Sequence, residues 1–330
     1  TINMKQYIDE AIEESGMDVS KRAKTPAGSD LFDIDQEAER LDIEKSKTFH
    51  SVTAKLLYVS QRGRPDLQLT VAFLCTRTDK STTQDWEKLH RLLRYANNTN
   101  DMEFNLSADS MNKLHTWIDA SYAIHPDMKS HTGGIMSFGI GGVLSKSTKQ
   151  KINSKSSTEA ELIGVSDYFP TTMWTKLFLE SQGHEIKSNI LEQDNQSTIK
   201  LVKNGRMSSE KQTRHINIRY FFMKDLIERD NIVVRHCQPE KMIADFFTKP
   251  LQGATFIKFR AVIMGHKHIS ELYNNSHPSF EERVEGTEID ETGNKATDEL
   301  GEQNCDRRTK VINNIGETRP KSDRNTKMEI

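Results

Sequence analysis

Along the first hundred residues the apolar side chains recur at helical spacing. Residues 4–18 set Ile8, Ile12 and Met17 on one side, which predicts a helix. Thr25-Pro26-Ala27-Gly28-Ser29 is turn chemistry, and the acidic run that follows it to Lys45 has little to bury. From Lys47 the pattern tightens again, and Arg64-Pro65-Asp66-Leu67 opens a further helix toward Phe73 with its proline in the first turn. Residues 85–95 read as another, with Trp86, Leu89, Leu92 and Leu93 as the buried stripe.

From Lys113 the period changes to two. Residues 114–119, 133–139 and 142–147 read as three strands joined by Gly-rich turns, an antiparallel meander. Ser157-Thr158 then caps a helix that contains Glu159 and Glu161, and Pro170 is expected to end or kink it. Residues 188–193 supply a fourth strand ending at Asp194, and residues 195–202 a short helix. A longer amphipathic helix over 213–229 carries Ile216, Tyr220, Met223 and Ile227 on its apolar face. Residues 232–236 form a fifth strand, and Pro239 begins a last helix bearing Asp245. Trp117 and Trp174 are expected in the core. Beyond about residue 270 the periodicity is lost, and a polar stretch dominates from Glu281 to the end, which predicts a disordered tail.

Composition sharpens this picture in three places. With 35% apolar residues in 330, the chain is lean for a fully globular protein of two ordinary domains. Neither a long apolar run nor a signal-like start is present, so a soluble protein without membrane association is expected. The scattered Cys75, Cys237 and Cys305 have no metal-ligand spacing and point to a reducing compartment. The net charge of -2 conceals a segregation: residues 110–268 carry 22 Lys and Arg against 15 Asp and Glu. That excess of base suits a polyanionic partner.

Several stretches then stand out as chemistry. Leu-His-Thr-Trp-Ile-Asp-Ala-Ser presents Asp119 at a strand end, where a lone aspartate is more often a turn residue than a ligand. Three later contexts hold acids in a similar setting: Glu161 in Ser-Ser-Thr-Glu-Ala-Glu-Leu, Asp194 in Ile-Leu-Glu-Gln-Asp-Asn-Gln-Ser, and Asp245 in Lys-Met-Ile-Ala-Asp-Phe-Phe-Thr-Lys. Glu159 and Glu161 lie two apart on a helix and face differently, so only one of them can join the others.

The succession Ala54-Lys55-Leu56-Leu57-Tyr58, Arg64-Pro65-Asp66-Leu67, Leu92-Leu93-Arg94-Tyr95 and Asn98-Thr99 resembles the end of the reverse transcriptase in copia-type retrotransposon Pol polyproteins. The resemblance continues without a gap into that family's ribonuclease H domain and covers residues 4–265. It implies an α/β fold, a ribonuclease H-like mixed five-stranded sheet with flanking helices, over residues 111–268. A mostly helical thumb and connection remnant would occupy residues 1–110, and the tail residues 269–330. No Asp-Asp dipeptide is present, so the polymerase site is expected upstream of residue 1, in the palm and fingers of a longer parent.

By the same resemblance, Asp119, Glu161, Asp194 and Asp245 are the catalytic metal ligands. They would hold two Mg ions, or Mn in their place, about 4 Å apart. Asp119 would bridge both, Glu161 and Asp194 would flank the leaving group, and Asp245 would complete the water-activating side. Glu161 is chosen over Glu159 because its Glu-Leu context falls where the family places its ligand. The expected reaction is hydrolysis of the RNA strand of an RNA/DNA hybrid. His215 in Thr-Arg-His-Ile matches a histidine typical of copia-type sequences and is either a substrate contact or a structural residue at a helix start. Lys146, Lys149, Lys151 and Lys155 flank the third strand, as contacts to the hybrid backbone or as a solvated edge guarded by Lys. The implied setting is intracellular, in the cytoplasm or a retrotransposon particle. Two alternatives remain open: a catalytically inactive hybrid-binding relic, and a transposase or integrase, whose sites usually close with a Glu where Asp245 stands.

Overall fold

Helical spacing in the first hundred residues becomes four helices in the computed structural model, α1 (Lys5–Ser15), α2 (Ile43–Arg62), α3 (Gln68–Cys75) and α4 (Thr83–Asn98). The structure describes residues 1–204, 214–230 and 232–273, apart from the side chains of residues 204, 214–217 and 220. Local chemistry sets the helix ends. Gly16 closes α1 in left-handed backbone, Asp42 caps α2 by accepting from the Lys45 N–H, and Thr82 and Asp85 form a reciprocal box at the start of α4. Inside the bundle Arg64 donates to both oxygens of Asp66 at 2.8 Å, and the Tyr95 hydroxyl donates to the same carboxylate. Both charges are fully buried, and this complete pairing is what makes them tolerable there.

The strands that follow are β1 (Ser107–Ala108), β2 (Lys113–Ser121), β3 (His131–Ser137), β4 (Gly139–Ile140), β5 (Leu144–Lys149), β6 (Ser188–Gln193) and β7 (Val233–His236). β1 and β4 make a small ribbon, and the others form one mixed sheet in the order β5-β3-β2-β6-β7. β3 runs antiparallel to β2 and β5, whereas β6 is parallel to β2 and β7 to β6. This is the mixed five-stranded sheet with flanking helices that the resemblance implied. Its consequence is that β2, β6 and β7 all end at the same edge of the sheet.

Alternation along β2 divides the two faces. Leu114 and Ile118 join the cluster beneath α5 (Ser157–Ser181), α6 (Gln196–Asn204) and α7 (Arg214–Asp230). Trp117, on the side of the strand that also carries Asp119, joins the opposite cluster. That second cluster is shared: Phe49, Phe73 and Leu93 of the helical segment meet Trp117 and Ile135 of the sheet and Phe247 and Phe259 beyond it. One core thus runs through the helical segment and the sheet, and the two form a single compact unit. No helix among the described residues is long and apolar enough to cross a membrane.

Four expectations are corrected. Pro170 lies inside α5 on its exposed side and does not end the helix, which overturns that half of the expectation. Trp174 is 61% exposed and stacks on Phe178 at 5.2 Å, because Phe169, Thr172 and Met173 already fill the inner face. The last predicted helix is instead two 3-10 turns, Pro239–Lys241 and Ile243–Phe247, and α8 (Gly253–Ile263) follows them. Packing also continues past residue 268, for Ile269 and Leu272 are buried in a further 3-10 turn. The rest of the expected tail, residues 274–330, lies outside the described residues.

Candidate active site

Parallel pairing brings the first two acids together. The register that sets Trp117 opposite Glu192 leads, two residues on, from Asp119 to Asp194. Asp245 arrives from the other side, on the 3-10 turn after β7. This turn lies against β3 at Gly133, the residue opposite Asp119. A Cβ at Gly133 would sit 2.8 Å from Phe247 Cβ and 2.9 Å from the Ala244 carbonyl oxygen, so only glycine admits the turn so close. Carboxylate oxygens of Asp119, Asp194 and Asp245 consequently all lie within 4.8 Å of one another.

Glu161 approaches from α5. Its carboxylate accepts from Gln193 Nε2 at 3.2 Å, and the same amide donates to the Ile118 carbonyl, which ties α5 to the edge between β2 and β6. Glu159 instead accepts from the Lys155 N–H at 2.8 Å and serves the helix start. Of the two glutamates, then, it is Glu161 that faces the other acids.

The electrostatics of the group are those of carboxylates crowded out of water. Burial, followed by the charges of Asp119 and Asp194, holds Glu161 well above the usual carboxylate range. Burial and then Asp119 also raise Asp194. Asp245 is pushed up to about 7, by burial first and Asp119 second, against the pull of Lys249. Such a cluster disfavours its own full ionisation and attracts a cation.

A cation from the chain already stands there. Lys249 Nζ lies 2.8 Å from Asp245 and 3.7 Å from Asp119, and although burial opposes its charge, these two acids keep its pKa above the ordinary lysine value. Thr248 donates its hydroxyl hydrogen to Asp119, and its carbonyl accepts from Ser121 at 3.1 Å. Sequence reading missed Gln193, Thr248 and Lys249. The one legible signal was the four-residue spacing of Asp245 and Lys249, which suits an ion pair.

A directional chain of hydrogen bonds supports the turn from behind. Ser147 Oγ donates to the Phe247 carbonyl at 2.8 Å, so it must accept from His131 Nε2, 2.7 Å away. His131 Nδ1 is then the acceptor for His125 Nε2 at 3.0 Å. His131, which accepts at Nδ1 and donates at Nε2, must be neutral in this chain, and burial depresses both rings, His131 to about 3 and His125 to about 4.

The other expected contacts are dispersed. Lys149 is paired with Asp127 at 2.8 Å, while Lys146, Lys151 and Lys155 are exposed along and after β5. The lysine that touches the acids is Lys249. His215 lies in the first turn of α7, and its side chain is outside the described residues.

The chain matches no protein-family model. It is 26% identical over 272 residues to the Retrovirus-related Pol polyprotein from transposon TNT 1-94 of Nicotiana tabacum, covering 81% of this chain and 20% of that protein. It is 27% identical to the Truncated transposon Ty1-A Gag-Pol polyprotein of Saccharomyces cerevisiae, over 72% of the chain and 20% of the relative. With the Pol polyprotein from transposon RE2 of Arabidopsis thaliana it shares 29% over 64% of the chain and 14% of the relative. The chain therefore spans a fifth or less of these relatives' length. Among solved structures it is similar to LC11-RNase H1 isolated from compost, at a TM-score of 0.31 and 12% identity over 41% of this chain and 92% of that one. RNase H1 of Halobacterium salinarum gives a TM-score of 0.29 at 12% identity, over 40% and 90% of the two chains.

Proposed function

We propose that this chain, a homologue of copia-type retrotransposon Pol polyproteins, acts as the ribonuclease H of such a polyprotein and hydrolyses the RNA strand of RNA/DNA hybrids. The observation that carries the reading is the meeting of Asp119, Asp194 and Asp245 within 4.8 Å, with Glu161 electrostatically joined to them. Carboxylates are the hard oxygen donors that divalent magnesium prefers, and manganese accepts the same set. The residues present fit that group: Asp119, Asp194 and Asp245 would hold it, with Glu161 as a fourth ligand. When bound, the metal supplies the Lewis acidity that activates water and stabilises the leaving oxygen of a phosphodiester.

The chain's own groups define the rest. Thr248 fixes the orientation of Asp119 through its hydroxyl, and Gln193 does the same for Glu161. Lys249 balances Asp245 and Asp119 while no other cation is near. No side chain needs to act as nucleophile. The helical segment, residues 1–110, reads as the thumb and connection that grip the duplex, and the sheet, residues 111–268, as the cutting part. Its partner beyond the hybrid is the upstream palm and fingers of the parent polyprotein, in an intracellular, cytoplasmic or particle setting. A hybrid is recognisable through its minor groove, where 2′-hydroxyls mark the RNA strand, so weak sequence preference is expected.

The direct test is a labelled RNA/DNA hybrid incubated with the full chain, with magnesium and with EDTA. Cutting of the RNA strand only with magnesium supports the reading. Intact RNA at every magnesium and manganese concentration contradicts it.

A further inference from the structure

Four cations of the helical segment converge on a cavity of about 520 Å³ outside the acid cluster. Arg22 and Lys24 come from the loop before α2, and Arg91 and Arg94 from successive turns of α4. None of the four has a carboxylate within ion-pairing distance among the described residues, and Glu87 is the one acid on the rim. Arg91 spends one N–H on the neutral hydroxyl of Thr25 at 2.9 Å, while the buried Nε of both Arg91 and Arg94 has no hydrogen-bond partner. Four like charges outnumber the acids near them, for Glu87 lines the rim and Asp18 interacts electrostatically with Arg94, and the excess repels. An anion in the cavity would relieve that repulsion.

The start of α8 also lines the cavity. Gln252 and Gly253 line the cavity, and no side chain caps the helix there, because the Gln252 amide is engaged by Thr25 and the Ala27 and Pro250 carbonyls. Free N–H groups of the first turn therefore add to the positive field. Gln252 lies three residues beyond Lys249, whose ammonium sits among the acids. The Cα atoms of Lys249 and Gln252 are therefore at most about 11 Å apart, which keeps the cavity near the acid cluster.

We infer that this cavity binds a backbone phosphate of the nucleic-acid duplex, a few nucleotides from the bond presented to the acid cluster. Arg22, Lys24, Arg91 and Arg94 supply the charge, and the planar guanidinium groups suit a phosphate's paired oxygens. This deepens the ribonuclease H reading and rests on it for the identity of the duplex. The site holds the substrate in register and does no chemistry.

The test measures binding apart from cutting. Affinity of the full chain for a fluorescent RNA/DNA hybrid is titrated in EDTA at several salt concentrations, for the wild type, Arg22→Gln/Lys24→Gln and Arg94→Gln. The first two positions are exposed, so folding is not at stake for that pair. Loss of phosphate contacts should weaken binding about tenfold near 0.1 M salt and flatten the logarithmic salt slope by about 1. Glu87→Gln should shift affinity the other way. Unchanged affinity and slope in both cation variants overturn the proposal. So does a thermal shift with inorganic phosphate that needs these residues while hybrid affinity does not, since the site would then serve a free anion. Cleavage by a wild type whose hybrid affinity ignores the cavity leaves the nuclease reading standing without this site. Cavity-dependent binding without cleavage in magnesium removes the nuclease reading and leaves the phosphate site.

Discussion

Asp119 is the acid that raises the other three, and its removal has a calculable sign. Asp245 titrates at about 7 in the folded chain and near 4 when unfolded, so folding takes up a proton between those values and stability from this group falls as pH rises through them. Asp119→Asn relieves that repulsion. The metal-free variant should thus be more stable than the wild type by an amount on the order of 1 kcal/mol above pH 7, and by little at pH 4. Thermal melts in EDTA across that range measure the difference, and magnesium should shrink it by neutralising the wild-type site. At Lys249 the expectation is complementary: Lys249→Gln removes the ammonium that holds Asp245 down, and the Asp245 titration followed by NMR should move further up.

Among the elements, the turn that carries Asp245 depends on contacts from two sides. Gly133→Ala places a methyl against Phe247 and the Ala244 carbonyl, which forces the turn off β3 at a cost of about 1–3 kcal/mol. Magnesium affinity measured calorimetrically should fall while the circular dichroism of the fold persists. Ser147→Ala cuts the hydrogen bond to Phe247 from behind and should have the same direction with a smaller effect. Much at this scale was legible beforehand. Turn residues bounding short apolar runs outlined β2, β3 and β5, and residues 188–193 matched β6 residue for residue; β2, β3 and β6 are buried on both faces, and of these strands only β5 alternates in burial. What failed was set by packing at a distance. Nothing local to Trp174 says that the inner face of α5 is already full, and a turn held by Gly133 and Ser147 need not be the α-helix that Pro239 suggests. The four acids were legible through motif order, whereas Gln193, Thr248 and Lys249 act through contacts that only the folded edge creates.

Over the whole molecule, one core joins the helical segment to the sheet. Residues 111–268 alone would expose Trp117, Ile135, Phe247 and Phe259, which the helices now cover, so this piece should be unstable or aggregate where the full chain is not. Three buried histidines add an acid limit. Burial depresses His115 and His125 to about 4 and His131 to about 3, below the unfolded value near 6.5. Their stabilisation is complete above that unfolded value and is lost as pH falls toward the folded ones, so these three histidines withdraw stability below pH 6.5 while the raised carboxyls of the acid cluster contribute in the opposite direction. The most direct measurement of the central claim remains cleavage of an RNA/DNA hybrid by the full chain and by Asp119→Asn, side by side in magnesium. The account predicts RNA-strand cutting by the wild type and a loss on the order of a thousandfold in the variant, since several kcal/mol of charge stabilisation go with the shared ligand. Equal cutting by the two proteins, or none by the wild type, would contradict it.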